Sequence, residues 1–338
     1  MKDRRRTRVS TDEALWYRRF GAPNDVLTLE ASESGPRPPG AVRVKMIAAP
    51  INPSDLVPIT GAYGHRVRPP QVAGYEGVGQ VVEVDQPSPL RVGDRVLPLR
   101  GSGTWRRSID CDPTWLVSVP DDVENSVAAR AYINPLAALL MLETWPVEGR
   151  RVLLTAGGSS CARLLGLWAL EAGAREVIAV CRSRVHSASL AELGFVPLAM
   201  TETAAIAAAA RADLVFDAVG GALAEALLAT MPAASDFVTY GLLSGESFRP
   251  PRSGPGPQRF HLRDRLEKVE PTEWRSWFRG LWPKLRGAPL PEARFYPLAD
   301  WRSAISAFDE PGRRFKPMLD LDGTRESDSD VRSTLPAS

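Results

Sequence analysis

Beyond Arg151 the chain repeats a pattern that few folds accommodate: a short apolar run, a small-residue turn, a helical segment and another apolar run. RVLLTA at 151–156 leads into a helical segment over 162–172, then come EVIAVC at 176–181, ADLVFDAVG at 212–220 and DFVTYGLL at 236–243. Strands buried on both faces read as continuous apolar runs, and parallel neighbours need crossover helices, so this alternation predicts a doubly wound parallel sheet. From Val26 to Val119 the texture differs. Runs such as VRVKMIAA (42–49) and GVGQVVEV (77–84) alternate between apolar and polar residues and are separated by Gly and Pro, which predicts a small β-barrel.

At 338 residues the chain has room for two cores. The segment FYPLADWRSAISAF (295–308) reads as a strand and helix that return to the first of them. The expected organisation is a flexible arm over 1–13, a barrel domain from 14–130 and 292–322, a parallel-sheet domain over 131–291, and a disordered tail over 323–338. The parallel-sheet domain would include the Trp-rich amphipathic stretch TEWRSWFRGLW (272–282). Residues 244–257, rich in Gly, Pro, Ser and Arg, read as a mobile loop outside the sheet and a candidate lid.

Lys and Arg number 42 against 40 Asp and Glu, so the net charge of +2 gives no global attraction to nucleic acid or to an anionic membrane. No apolar run approaches the roughly 18 residues of a membrane span, and neither kind of partner is expected. Cys111, Cys161 and Cys181 are odd in number and lack CxxC spacing, against both a disulfide framework and a structural zinc lobe. The basic N-terminal run MKDRRRTRVS is followed by Asp12 and Glu13 rather than by an apolar region, so the expected setting is reducing and cytoplasmic.

The strand at 151–156 runs into the turn AGGSS (156–160) and then a helix. Glycine lets the backbone approach a ligand closely, and the N–H groups of a helix N-terminus attract negative charge. Gly157, Gly158, Ser159, Ser160 and Cys161 are therefore candidates for holding a dinucleotide pyrophosphate, a glycine-rich helix cap being the other reading. About 20 residues further on, where an enzyme using NAD places an acid for the ribose hydroxyls, stand Arg182 and Arg184. Two guanidiniums suit a 2′-phosphate, which an acid would repel, and so point to NADPH; a solvated basic turn is the alternative.

INPSDLVPITGAYG (51–64), VAGYEGVGQVVEV (72–84), RVGDRVLP (91–98), GTWRRS (103–108), DAVGG (217–221) and VTYG (238–241) together resemble the mitochondrial-type 2-enoyl thioester reductases, a zinc-free branch of the medium-chain dehydrogenase/reductase superfamily. The resemblance runs from about Ala14 to about Leu321. It implies an α/β chain with a GroES-like β-barrel catalytic domain, a Rossmann domain, NADPH and a homodimer. It further implies reduction of the C=C bond of a 2-enoyl thioester, carried by coenzyme A or an acyl carrier protein, with hydride going to the β-carbon and a proton to the α-carbon.

In that family the GAYG position carries the proton-donating tyrosine, here Tyr63, and a phenol is suited to protonating an enolate. A turn tyrosine packed on the barrel is the alternative reading of the same residue. Asn52, a catalytic candidate, matches the loop beside the nicotinamide, a capping Asn-Pro turn being the other reading; Trp105 matches a tryptophan lining the substrate region, or is a buried core tryptophan; and Asn134, Gly220, Tyr240 and Gly241 fall on the cofactor side. Zinc-dependent relatives use a Cys and a GHE motif. Here the segment is Gly74-Tyr75-Glu76, and His65, His186 and His261 match no zinc spacing, so no metal is expected.

Two departures stand out. The family's SGVG turn is Ser159-Ser160-Cys161-Ala162 here, and its Gly- and Trp-containing segment beside the nicotinamide is replaced by SGPGPQRFHLRDR (253–265). Two other functions therefore stay open: reduction of a quinone or a small free enone, and a non-enzymatic NADPH-binding role.

Overall fold

A computed structural model describes residues 11–100, 103–200, 203–252 and 254–323. Most of the expected N-terminal arm and nearly all of the expected tail lie outside the described residues. Two compact units divide the chain: the first runs to Ala131 and takes in Pro271–Gly287 and the chain from Pro291, while the second comprises Tyr132–Glu270 and Ala288–Leu290.

The first unit is built on a seven-stranded sheet. Its strands lie in the order Glu292–Pro297, Phe315–Asp320, Val42–Pro50, Val78–Glu83, Arg95–Leu97 and Val117–Ser118, with Ser108–Cys111 also paired to Val42–Pro50. A second sheet of three strands sets Thr11–Tyr17 between Leu27–Glu33 and Gln71–Val72. The alternation seen in the sequence is real strand alternation: Val42, Val44 and Met46 all point into the core, where they meet Leu15, Val81, Val96 and Trp105. Gly74 has a φ of +91°, and a Cβ there would fall 2.4 Å from Cδ1 of Trp105, so both the backbone conformation and the packed indole require glycine.

The Trp-rich segment forms the helix Pro271–Arg286, and it belongs to this unit, not to the parallel-sheet domain in which 131–291 would place it. Trp274, Trp277, Phe278, Leu281, Trp282 and Leu285 are buried at helical spacing. Their partners lie far away in sequence. The Trp274 ring meets Trp115 edge-on at 6.4 Å, its Nε1 donates to the Trp115 carbonyl at 3.1 Å, and the Arg100 guanidinium stacks 3.9 Å from the Trp115 ring.

The second unit is a six-stranded sheet ordered Val196–Ala199, Glu176–Cys181, Arg151–Leu154, Leu214–Asp217, Asp236–Thr239 and Pro257–Arg259. Every neighbouring pair is parallel, with helices between the successive strands from Arg151–Leu154 to Asp236–Thr239 as the sequence pattern requires, whereas Pro257–Arg259 follows without one. Helix Ser160–Glu171 packs closely on the sheet at Gly166, where a Cβ would stand 2.6 Å from the Phe195 ring and 2.9 Å from Leu154. The far end of the expected loop at 244–257 is not outside the sheet, since Pro257 opens its sixth strand and pairs with Phe237. Proline, which lacks an N–H, is tolerated there because the strand is an exposed edge. Among the described residues no helix is long and apolar enough to cross a membrane.

Gly74→Ala is expected to lower stability by about 2–4 kcal/mol through combined backbone strain and overpacking against Trp105. Urea unfolding would measure it, and an unchanged midpoint would contradict this account of the barrel core.

Candidate active site

In the second unit the strand Arg151–Leu154 ends in a turn shaped by close approach. Gly157 donates its N–H to Val180 O at 2.9 Å, and a Cβ on it would lie 2.7 Å from the Cβ of Ala179. A Cβ on Gly158 would lie 2.5 Å from Cδ2 of His186, whose ring rests against the turn. Ser159 caps the following helix, its Oγ accepting from Ala162 N at 3.2 Å. The turn thus has a glycine backbone and the N-terminus of a 12-residue helix, which together suit an anionic phosphate group.

A second strand end is tied to this turn. Asp217 is fully buried; its carboxylate accepts from Thr155 Oγ1 at 2.7 Å, Val219 N at 3.1 Å and Gly220 N at 2.9 Å. Burial raises its pKa, and these three hydrogen bonds oppose the rise. They hold the chain around Gly220, which has a φ of +73°. Tyr240 donates its N–H to Asp217 O at 2.8 Å, and its hydroxyl is buried beside the Cys161 thiol and Ser159 without a well-formed hydrogen bond to either. Burial pushes that phenol well above its ordinary pKa and the Cys161 thiol up to about 12, so neither group ionises near neutrality. Cys161 Sγ lies 3.8 Å from Asn134 O.

Asn134, Gly157 to Cys161, and Tyr240 therefore gather at one place, with Gly220 and Gly241 on neighbouring strand ends. Arg182 and Arg184 are exposed at the end of the strand Glu176–Cys181. Sequence reasoning missed two neighbours: His186, and Arg163, whose Nη1 donates to Ser189 Oγ at 3.1 Å. Neither has a motif signal, because each reaches the turn through tertiary packing.

In the first unit Asn52 is buried and its amide engaged at both ends. Nδ2 donates to Glu76 Oε1 at 2.7 Å, and Lys316 Nζ donates to Oδ1. Asp55 accepts from Asn52 N at 2.8 Å and Tyr75 N at 2.9 Å. Asp55, Glu76, Lys316 and Arg130 thus place two carboxylates and two cations in the interior. Burial, and after it the Glu76 charge, raise the Asp55 pKa; burial lowers that of Lys316 against the pull of Glu76 and Asp55. Burial also lowers the Arg130 pKa, to about 10.

Tyr63 stands further along the same connection, half-buried beyond the short turn Val57–Thr60. Its carbonyl accepts from Arg66 N at 2.8 Å and Val67 N at 2.9 Å, and its ring lies 6.2 Å from that of His65. Trp105, expected to line the substrate region, is instead fully buried behind Gly74, with its Nε1 donating to Pro50 O at 3.2 Å. Among the described residues no cluster of His, Cys, Asp and Glu is placed to hold a metal ion.

A β-barrel unit joined to a parallel-sheet unit with a glycine turn at a helix N-terminus defines a two-unit α/β protein of the dehydrogenase/reductase class. The alcohol dehydrogenase GroES-like domain family matches residues 38–121. A Bacillus thuringiensis protein described as a candidate NADPH:quinone reductase superposes with a TM-score of 0.84 at 31% identity, over 92% of this chain and 99% of that one. The chain belongs to the medium-chain dehydrogenase/reductase superfamily. The mitochondrial enoyl-[acyl-carrier-protein] reductase of Rattus norvegicus is 43% identical over 131 residues, a match spanning 38% of this chain and 35% of the rat protein. The Etr1p structure with NADP and crotonyl-CoA has the same fold, with a TM-score of 0.78 at 20% identity over 92% of this chain and all of that one.

Removing one member of a buried charge cluster strands its partners, so Lys316→Met is expected to destabilise by about 3–5 kcal/mol in urea unfolding; a change within error would contradict the cluster's role. Asp55 gives a pH signature. Its folded pKa lies above the unfolded value near 4, so its contribution to stability is present in acid and lost as pH rises through the folded value. The stability of wild type minus that of Asp55→Asn is therefore expected to fall from about pH 4.5 toward neutrality. A difference that stays level or grows would show the shift to be absent.

Proposed function

We propose that this chain is an NADPH-dependent, metal-independent reductase of 2-enoyl thioesters. The observation that carries the reading is the glycine turn of the second unit, at the head of a capped helix and followed at the next strand end by the exposed pair Arg182 and Arg184. The 43% identity to an enoyl-[acyl-carrier-protein] reductase supports the substrate class.

When bound, NADPH supplies the hydride. The N-terminus of helix Ser160–Glu171 would hold its pyrophosphate, with Gly157 and Gly158 leaving room for its close approach, while Arg182 and Arg184 would meet the 2′-phosphate with charge-assisted hydrogen bonds. Asn134, Cys161, Gly220, Tyr240 and Gly241 shape the remaining cofactor surface. Tyr63 delivers a proton from its hydroxyl to the α-carbon of the enolate left after hydride addition to the β-carbon. Asn52, locked between Glu76 and Lys316, holds the loop that leads to Tyr63 rather than moving a proton itself. The thioester is carried by coenzyme A or an acyl carrier protein. The chain works as a homodimer, for which the exposed edge strand Pro257–Arg259 offers unpaired backbone.

Reduction of a quinone is the second reading, favoured by the 31% identity to the Bacillus thuringiensis protein. It needs no dedicated proton donor to carbon, and this separates the two. Tyr63→Phe is expected to lower enoyl thioester turnover by about 10²- to 10⁴-fold while NADPH binding stays nearly unchanged. Unaltered single-turnover hydride transfer and unaltered uptake of solvent deuterium at the α-carbon would remove the role. Loss of a charge-assisted contact costs about 1.5–3 kcal/mol, so Arg182→Ala should weaken NADPH by roughly 10- to 100-fold and spare NADH. Equal weakening of both cofactors in a fluorescence titration would contradict the 2′-phosphate assignment.

A further inference from the structure

The His186 imidazole lies directly on the phosphate turn. An ideal Cβ at Gly158 would fall 2.5 Å from its Cδ2, 3.0 Å from its Cγ and 3.1 Å from its Nε2, so the ring is laid against the backbone of that glycine. The ring is half-buried and keeps a route to solvent. Two hydrogen bonds tie its segment to the helix that starts at the turn: Ser189 Oγ donates to His186 O at 3.0 Å, and Arg163 Nη1 donates to Ser189 Oγ at 3.1 Å. Arg163 also keeps its Nε buried without a hydrogen-bond partner.

Both elements that meet at the turn carry basic side chains, which suits an anion. Arg163 approaches from helix Ser160–Glu171, while Arg182 and Arg184 belong to the segment that carries His186. On the acidic side, Glu192 lies beyond the helix Ser187–Ala191 and attracts Arg163; the Cys181 thiol at the strand end is buried and neutral near pH 7 and adds no charge. Arg163, Arg182 and Arg184 are thus carried by the helix and the segment that meet at the glycine turn.

We propose that His186 is a further cationic member of the site for a dinucleotide phosphate, and that its protonation couples cofactor affinity to pH. This rests on the NADPH reading above and adds a residue and a regulatory property to it. Imidazole ordinarily titrates near pH 6.5, and a phosphate within a few ångströms favours the charged form, so binding draws a proton onto the ring. By linkage the same coupling strengthens binding as pH falls. Pyrophosphate and 2′-phosphate offer the same chemistry; ADP reports the first and 2′,5′-ADP both.

The test is calorimetric titration of the full chain with NADPH, ADP and 2′,5′-ADP, in pairs of buffers that differ in ionisation enthalpy, between about pH 6.5 and 8.5. Wild type, His186→Gln and His186→Phe are compared; the last keeps a ring on Gly158 but cannot carry a proton. Wild type should take up a fraction of a proton on binding and lose about fivefold more NADPH affinity across the range than either variant does. The comparison cancels the titration of the phosphate itself, near pH 6. Absence of proton uptake in wild type, or an equal pH slope in either variant, overturns the proposal and leaves the NADPH reading intact. Failure of wild type to bind NADPH at any pH overturns the underlying reading, and this proposal with it.

Discussion

The barrel depends on a set of buried charges that is stable only when complete. Lys316 Nζ reaches Asn52 across 264 residues of chain, so the last strand of the unit is pinned to the loop that follows Val42–Pro50. Glu76 takes the other end of the same amide, and Asp55 binds the backbone of Asn52 and of Tyr75. Desolvating each ion costs several kcal/mol, and only the full complement of opposite charges and hydrogen bonds offsets that cost. This cluster fixes the loop that ends in the Tyr63 segment, with both orientations of the Asn52 amide spoken for.

The parallel-sheet unit rests on close backbone approach instead. Gly157 lies against Ala179, Gly166 against Phe195 and Gly241 against the carbonyl of Ala218, each where a Cβ would come within 3.0 Å of its neighbour. These contacts bring three strand ends together and leave a helix N-terminus open to an anion. Asp217 locks the arrangement from beneath, joining Thr155 of one strand end to Gly220 of the next.

Local patterns made the fold class readable, because the periods of strand and helix are set by neighbours in sequence. The continuous apolar runs at 151–156 and 176–181 and the alternation at 42–49 carry that information directly. Partners distant in sequence leave no such trace. Nothing near TEWRSWFRGLW says that its indoles meet Trp115 and Arg100, and so the helix Pro271–Arg286 falls in the unit that its position in the chain does not suggest. Trp105 in its GTW motif reads equally as a substrate wall or as a core indole, and only the tertiary contact with Gly74 puts it in the core. His186 has no zinc spacing and no motif, and only the folded turn at Gly158 gives it a role.

In the proposed reaction the reducing equivalents from NADPH end on carbon. Its most direct test is anaerobic turnover with NADPH deuterated at the transferable position, crotonyl-CoA and a quinone being offered to the same enzyme and the products identified by mass. The account predicts oxidation of one NADPH for each saturated thioester formed, with the label at the β-carbon. Reduction of the quinone with the thioester recovered unchanged would contradict it.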